Sequence, residues 1–513
     1  MLTTPSARSF TATKMKFLID TNIVIQLEDD GEIKADFADL LRRCQEHGIH
    51  VFVHEASIED INRHGNETRR KATLSKLNKF RQLKGVSSPT LDELKARYGD
   101  IPKPNDVVDA KLLHAVSISA ADFLITEDDR LHRRAKRASL AERVMTVADA
   151  LAWLKQSFEP DTVFLPAVKE VKAHAIDFQD PIFEALRSDY GPYFDKWTGK
   201  CINEHRDCWI VKDGDALAAV VIRKDERRAE AAITKPGEKI LKICTFVSED
   251  YRGQKLGEQL LKQIFWHAQR NSYDVVYLTA KAKQVSLIRL LEEYGFEKTG
   301  DLADGDGVFE KAMGKGKLSL STGETAITAA RKNYPRFYDG PKVDKFVIPI
   351  KPAYHAKLFP EVGMLAEEVA TTRGAIPGNT IRKVYVCHSR NNRIAAGDVI
   401  FFYQTKKPGS PRSQSVTSIG IVENVRHTNL VDEVRRWTAK RSVFSDDELQ
   451  SWVNGSSPLK VIDFLLIGHV VPPLPLNLLR SDGVVGGAPQ SITRISENSY
   501  QRLKPLLNLG FDF

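Results

Sequence analysis

Cysteine is scarce: five residues in 513, at positions 44, 201, 208, 244 and 387. The set is odd in number and scattered, with no Cys-x-x-Cys pair and no cysteine–histidine spacing. That excludes a disulfide framework and a zinc finger, and it favours a reduced, cytoplasmic setting. No apolar run is long enough to span a bilayer, so no membrane partner is expected. Residues 1–15 lack the apolar stretch of a secretory signal. They are rich in Ser and Thr, basic and free of acids, and read as a disordered extension or as sequence ahead of a start at Met15. Internal repeats and low-complexity tracts are also missing, which excludes repeat architectures. Acids are outnumbered, with 67 Asp and Glu against 75 Lys and Arg, a net charge of +8 and a pI near 9.0. The balance favours an anionic partner, nucleic acid before membrane.

What is present is too long for one core, and three domains are expected. Over 16–155, the runs "KFLI", "IHVFV" and "DFLIT" alternate with helical patterns, which predicts an α/β domain with a parallel sheet. Over 160–313, a hairpin around an Asp-Gly turn, the run "KILKICTFVS", a long helix and "DVVYLTA" predict a mixed α/β domain. Residues 314–340 are rich in Gly, Ser, Thr and Lys and read as linker. Over 341–513, "KFVIPI", "KVYVCHS", "GDVIFFYQT" and "SIGIVENV" predict short strands in a compact β-barrel.

In the first segment the acids sit at strand ends or in the helix that follows. Asp20 ends "KFLID", Asp60 follows "IHVFVH", Asp109 lies in "PNDVVDAKLLHA" and Asp128 comes just after "FLIT". The carboxyl ends of parallel strands share one rim, so these groups converge there. Converging carboxylates repel unless a cation sits among them, and an all-oxygen site suits Mg²⁺ or Mn²⁺. Such an ion supports hydrolysis of a phosphodiester. The motifs "LIDTNIV", "HEASIEDINR", "NDVVDAKLL" and "LITEDDRL" resemble, in order, the four motifs of PIN-domain nucleases. The resemblance implies Asp20, Asp60, Asp109 and Asp128 as catalytic and metal-binding acids, with Asn22 and Thr126 orienting ligands and water. Glu59 competes with Asp60 for its place, and Asp106, one helical turn before Asp109, is a further candidate ligand. The stretch 63–84 holds eight Lys and Arg against one Glu, and 130–137 holds five with no acid. Each is either a solvated helix face or a track for a phosphate backbone. The resemblance favours RNA over DNA.

In the second segment "KICTFVSEDYRGQKLGEQLL" is a strand, a basic glycine-containing turn and a helix. Backbone N–H groups at such a helix start bind a pyrophosphate. With "LLEEYGF" about one βα unit later, the segment resembles the GNAT acetyltransferases. The resemblance implies acetyl-CoA lying against Ile243, Thr245 and Val247, with its pyrophosphate at Arg252, Gly253, Gln254, Lys255, Leu256 and Gly257. Two departures stand out: Leu291 replaces the tyrosine that protonates the leaving thiolate, and Gln284 replaces an asparagine. Leucine has no proton to give. Tyr277, Tyr294 or His267 takes that role, or thiolate leaves unassisted, or the domain binds acyl-CoA without transfer. Glu249 is a candidate base.

The third segment resembles the PUA-like superfamily, in its ASCH and EVE branches. That implies a small pocket in which Phe402, Tyr403 or Trp437 stacks a base, near Arg373, Lys440 and Arg441. The whole then reads as a metal-dependent ribonuclease joined to an N-acetyltransferase and a nucleic-acid reader. The alternative makes acetyl transfer the main activity, on an RNA-linked amine or a protein, with the first segment a non-catalytic RNA platform. By analogy with toxin–antitoxin effectors, an antitoxin-like protein is a further expected partner.

Overall fold

Short runs of β-branched and aromatic residues between helices build the first of three sheets. A computed structural model describes residues 15–24, 35–62, 66–87, 89–159, 168–213, 216–248, 256–363, 380–408, 413–453 and 457–513. Strands β1 (Lys16–Ile19), β2 (His50–His54), β3 (Arg81–Leu83), β4 (Phe123–Ile125) and β5 (Val144–Met145) lie in the order β3-β2-β1-β4-β5. Every pairing is parallel, as the helix–strand alternation predicts. The three-residue β4 is wholly buried, a run too apolar to alternate because both its faces are covered. Phe17 and Phe123 are register partners, and each packs its ring against Trp153. The chain builds outward from β1 through β3, then returns to β4, so the sheet reverses direction between β1 and β4. Ligands of open α/β sheets bind at the carboxyl ends of strands flanking such a point.

The chain divides into two compact units, Met1–Leu154 and Lys155–Phe513. In the second, β6 (Lys169–Lys172), β7 (Asp207–Asp213), β8 (Ala216–Arg227), β9 (Lys239–Ser248), β10 (Val275–Ala280), β11 (Glu297–Asp301) and β12 (Gly307–Ala312) form a mixed sheet. Its order is β11-β12-β10-β9-β8-β7-β6, and only β9 and β10 run parallel. Their pairing stops at Leu278 and Ile243, although β9 continues to Ser248.

A third sheet contains β13 (Lys345–Ile350), β14 (Arg382–Cys387), β15 (Val399–Gln404), β16 (Ser415–Thr428), β17 (Leu459–Pro475) and β18 (Thr493–Ile495). The order β14-β17-β16-β15-β13-β18 has two ends, and no β14–β18 pairing closes it among the described residues. The expected barrel is therefore an open pairing scheme, in which three register shifts along β16 and β17 bend two unusually long strands.

The second and third sheets share one core. The helix Leu256–Arg270 buries residues on nearly every side because the third sheet covers the face that would otherwise meet water. Trp266 Nε1 donates to the Ile467 carbonyl at 2.9 Å, Lys262 pairs with Glu361 at 2.5 Å, and Glu258 accepts the Arg382 N–H at 2.7 Å. Residues 314–340, expected as linker, are packed as well. Tyr334 is fully buried and donates to the Leu466 carbonyl at 2.6 Å, and the helix Ala326–Lys332 abuts Gly295. A Cβ at Gly295 would lie 2.1 Å from the Lys332 carbonyl oxygen, and its φ of +83° suits glycine alone.

Candidate functional site

Asp20 leaves the carboxyl end of β1 and Thr126 that of β4, on either side of the switch point. Asp20 is buried; Thr126 Oγ1 donates to its Oδ2 at 2.7 Å and the Asn22 N–H reaches its Oδ1 at 3.3 Å. The Thr126 hydroxyl also accepts from the Asp128 N–H at 3.0 Å and from Asn22 Nδ2 at 3.5 Å. Asp109 arrives on the helix Pro104–Ser117, which leads into β4. Burial raises its carboxyl to about 7, and repulsion from Asp20 and Asp128 adds to the rise against the pull of Arg134. Burial also raises Asp20, with a further push from Asp128, although the Thr126 and Asn22 hydrogen bonds oppose it. The fold thus brings Asp20, Asp109 and Asp128 into electrostatic reach of one another, with Thr126 and Asn22 bonded to Asp20, but their ligand oxygens do not all lie within 4.8 Å of one another. A mutually repelling oxygen set that resists ionisation is the donor chemistry a hard divalent cation relieves.

Asp106 does not face this cluster as a free ligand. Its Oδ1 pairs with Arg134 at 2.8 Å and its Oδ2 accepts the Lys103 N–H at 3.0 Å, so the protein takes both oxygens. Asp128 has a second duty, capping the helix Asp129–Arg137 through the Arg130 N–H at 2.6 Å. Asp60 is half-buried on the helix Glu55–Asn62, which packs against the helix carrying Asp109, whereas Glu59 is exposed. Of the basic stretches, Lys71, Lys79, Arg81 and Lys84 are exposed in the first and Arg130, Arg133, Lys136 and Arg137 in the second.

In the second unit a cavity of about 470 Å³ opens where β9 and β10 cease to pair. Ile243, Cys244, Thr245 and Phe246 line it from β9, and Leu278 and Thr279 from β10. The β8–β9 register shifts between Ile222 and Arg223, which places an extra β9 residue, Cys244, in the ladder. Such a bulge breaks strict alternation. Ile243 and Thr245 line the cavity, while Val247, expected beside them, is absent from its lining and packs with the apolar cluster around Ile182, Phe194 and Ile222. Leu256 and Gly257 open the helix Leu256–Arg270. Arg252, Gly253, Gln254 and Lys255, with Glu249 and Arg373, lie outside the described residues.

Leu291 is buried in the core, away from the cavity lining. None of its three proposed substitutes lines the cavity either: Tyr277 donates to Glu226 at 2.5 Å, Tyr294 packs on Phe265, and His267 abuts Trp209. The cavity's tyrosines are Tyr190 and Tyr193, which the motif reading missed because they lie on helices with no motif of their own. Tyr190 donates to Asp306 Oδ2 at 2.8 Å. Burial, the Asp306 hydrogen bond and nearby carboxylates raise the Tyr190 phenol far above neutrality, so it stays protonated. Gln284 lines the cavity, and its side chain accepts the Lys281 N–H at 2.9 Å.

In the third sheet Phe402 and Tyr403 are fully buried core residues, and the Phe402 ring packs against Phe359 and Phe464. They leave no face for a base. Trp437 is half-buried with the Arg426 guanidinium 4.9 Å from its ring centroid.

Residues 172–296 match the family model described as Acetyltransferase (GNAT) family. Over these residues the chain is similar to that family. The mouse (Mus musculus) protein Probable N-acetyltransferase family 8 member 5 is 25% identical over 130 residues. That alignment is 25% of this chain and 52% of the relative, so the chain spans about half of that protein's length. Among solved structures, a PaiA N-acetyltransferase from Thermoplasma acidophilum in complex with coenzyme A is 13% identical. It covers 29% of this chain and 99% of its own, with a TM-score of 0.23. The ASCH protein from Zymomonas mobilis is 19% identical, covering 32% of this chain and 94% of its own, with a TM-score of 0.22. No described helix is long and apolar enough to cross a membrane.

Proposed function

We propose that this protein is an acetyl-CoA-dependent N-acetyltransferase and that acetyl transfer is its main activity. The observation that carries the reading is the parted strand pair opening onto a cavity inside the GNAT-matched residues. Beyond Ile243, the edge of β9 that faced β10 has no strand partner among the described residues, so its backbone can pair an extended pantetheine arm as a strand would. Ile243 and Thr245 supply apolar contact, and the volume falls in the range of ligand sites. When bound, the cofactor supplies an activated acetyl thioester. A thiol titrates near about 8.5, so thiolate departs tolerably without a proton donor. Losing general-acid help costs roughly 10²–10⁴ in rate, which makes this a slow member of its kind. The test is thiol release from acetyl-CoA by the full chain with a panel of amines. Thiol appearing in step with N-acetylated amine is expected. Intact acetyl-CoA with every amine, from a folded chain, overturns the reading.

A second reading is favoured by the clustering of Asp20, Asp109 and Asp128: metal-dependent phosphodiester cleavage by the first unit, RNA before DNA. These three would hold Mg²⁺ or Mn²⁺, which supplies Lewis acidity at the rim, and the exposed Arg130, Arg133 and Arg137 would track the backbone. An antitoxin-like protein partner belongs to this reading. Metal-dependent cleavage of a mixed RNA pool, lost in Asp20→Asn, is its test; equal cleavage by wild type and variant removes it.

A further inference from the structure

We infer that the acceptor is a primary amine carrying a second positive charge, which Asp304 and Asp306 hold in the cavity. This rests on the acetyltransferase reading. The charges around the cavity decide it. Lys242 pairs with Glu226 at 3.7 Å, Arg206 with Glu204 at 2.8 Å and Lys200 with Glu204 at 3.8 Å, so three of the four cations lining it are matched and the fourth, Lys196, is exposed to solvent. Lys283, nearby, pairs with Asp189. The Lys281 ammonium sits 4.3 Å from the Tyr190 ring centroid and donates to the Asp189 carbonyl at 3.1 Å.

Asp306 is different. It is 4% exposed, yet no lysine or arginine forms an ion pair with it or with Asp304 among the described residues. Its Oδ2 accepts from Tyr190, which fixes the carboxylate, and its Oδ1 has no protein donor among the described residues. Asp304, exposed at the rim, accepts the Asp306 N–H at 3.2 Å. With Oδ2 fixed by Tyr190 and no ion pair made, the remaining oxygen of Asp306 is available to a cationic ligand in the cavity. Asp306 immediately precedes Gly307, which pairs with Ala280 at the end of β10, so the carboxylates stand beside Thr279 and the strand opening.

The held charge must be a second one. The attacking nitrogen has to be neutral: its lone pair forms the N–C bond, the C–S bond breaks, the nitrogen loses a proton to water and the sulfur gains one. An amine ion-paired to Asp306 stays an ammonium and cannot attack. An RNA-linked acceptor would bring phosphates against the same two carboxylates.

Three probes of equal reach separate the possibilities: 1,4-diaminobutane, butylamine and 4-aminobutanoate, whose far ends are positive, neutral and negative. Each is titrated calorimetrically into the full chain saturated with coenzyme A, and each is tried in the thiol-release assay. The diamine is expected to bind about 10-fold tighter than butylamine, with 4-aminobutanoate weakest. Asp306→Asn, nearly isosteric, should level the diamine with butylamine while leaving acetyl-CoA affinity unchanged. Tyr190→Phe should raise KM for the diamine more than it lowers kcat. Equal binding of the three amines, tighter binding of the anionic one, or a diamine preference that survives in Asp306→Asn overturns the inference while the acetyltransferase reading stands. Failure of coenzyme A itself to bind removes both.

Discussion

Charge is handled in opposite ways in the two units. In the first, Asp20, Asp109 and Asp128 share one rim, and burial with mutual repulsion outweighs the pull of Arg134 and raises Asp109 to about 7. In the second, charges at the junction of the sheets are matched. Glu423 takes Arg331 at 2.5 Å and Arg382 at 2.8 Å, and although burial pushes its carboxyl up, the two guanidiniums outweigh burial and hold it low. The contrast separates charges that hold a fold together from charges arranged to meet something else. By the same test Asp306, buried and without a cation, stands with the first group although it lies in the second unit.

Three experiments break or sharpen that contrast, the largest effect first. Glu423→Ala should destabilise the second unit by about 3 kcal/mol in urea unfolding, because two guanidiniums lose their partner; partial exposure of Arg331 keeps it at the low end of such losses. Since the Glu423 carboxyl is lowered in the folded state, its stabilisation is present above the usual carboxylate range and is lost as pH falls through the lowered value. A loss below half that size removes Glu423 from the matched group.

Asp109→Asn should have the opposite sign. A carboxyl raised from 3.8 to about 7 makes the folded unit lose stability as pH rises across that window. The variant should therefore protect the β1 and β4 amides from exchange near pH 8 by about 2 kcal/mol, with little effect near pH 3. That is half the ceiling of about 4 kcal/mol, because Asp109 is only half-buried and water relaxes around it. Unchanged or weaker protection contradicts the repulsion. The smallest effect is that of added ion: Mg²⁺ or Mn²⁺ at ten times its dissociation constant should protect the same amides by about 1.4 kcal/mol in wild type and not in Asp20→Asn. Equal protection in both assigns the ion elsewhere.

Much of this was legible in the sequence where chemistry follows a strand end. Asp20 and Asp128 are legible because a carboxylate after a buried apolar run is conspicuous, and parallel strands bring such ends together. Asp109 is legible from its motif. Asp106 was misread because helical spacing places it near Asp109 but says nothing of Arg134, 28 positions on. Val247 shares the Thr245 face of β9, as alternation predicts, but its packing with Ile182 and Ile222 keeps it out of the cavity lining, and that packing follows no local pattern. The Tyr190–Asp306 pair spans 116 positions and follows no local pattern. Residues 314–340 look like linker by composition, yet Tyr334 and Phe337 anchor them in the shared core. Phe402 and Tyr403 show the reverse: aromatics in a strand read as a stacking platform until the opposite layer covers them.

The most direct measurement is calorimetric binding of acetyl-CoA to the full chain and to Thr279→Trp, which fills the opening between β9 and β10 from a half-buried position without touching the deeper core. Saturable one-to-one binding by wild type, abolished in a variant with an unchanged circular dichroism spectrum, is the result predicted. No binding by wild type, or equal binding by both chains, contradicts the placement of the cofactor and with it the proposed activity.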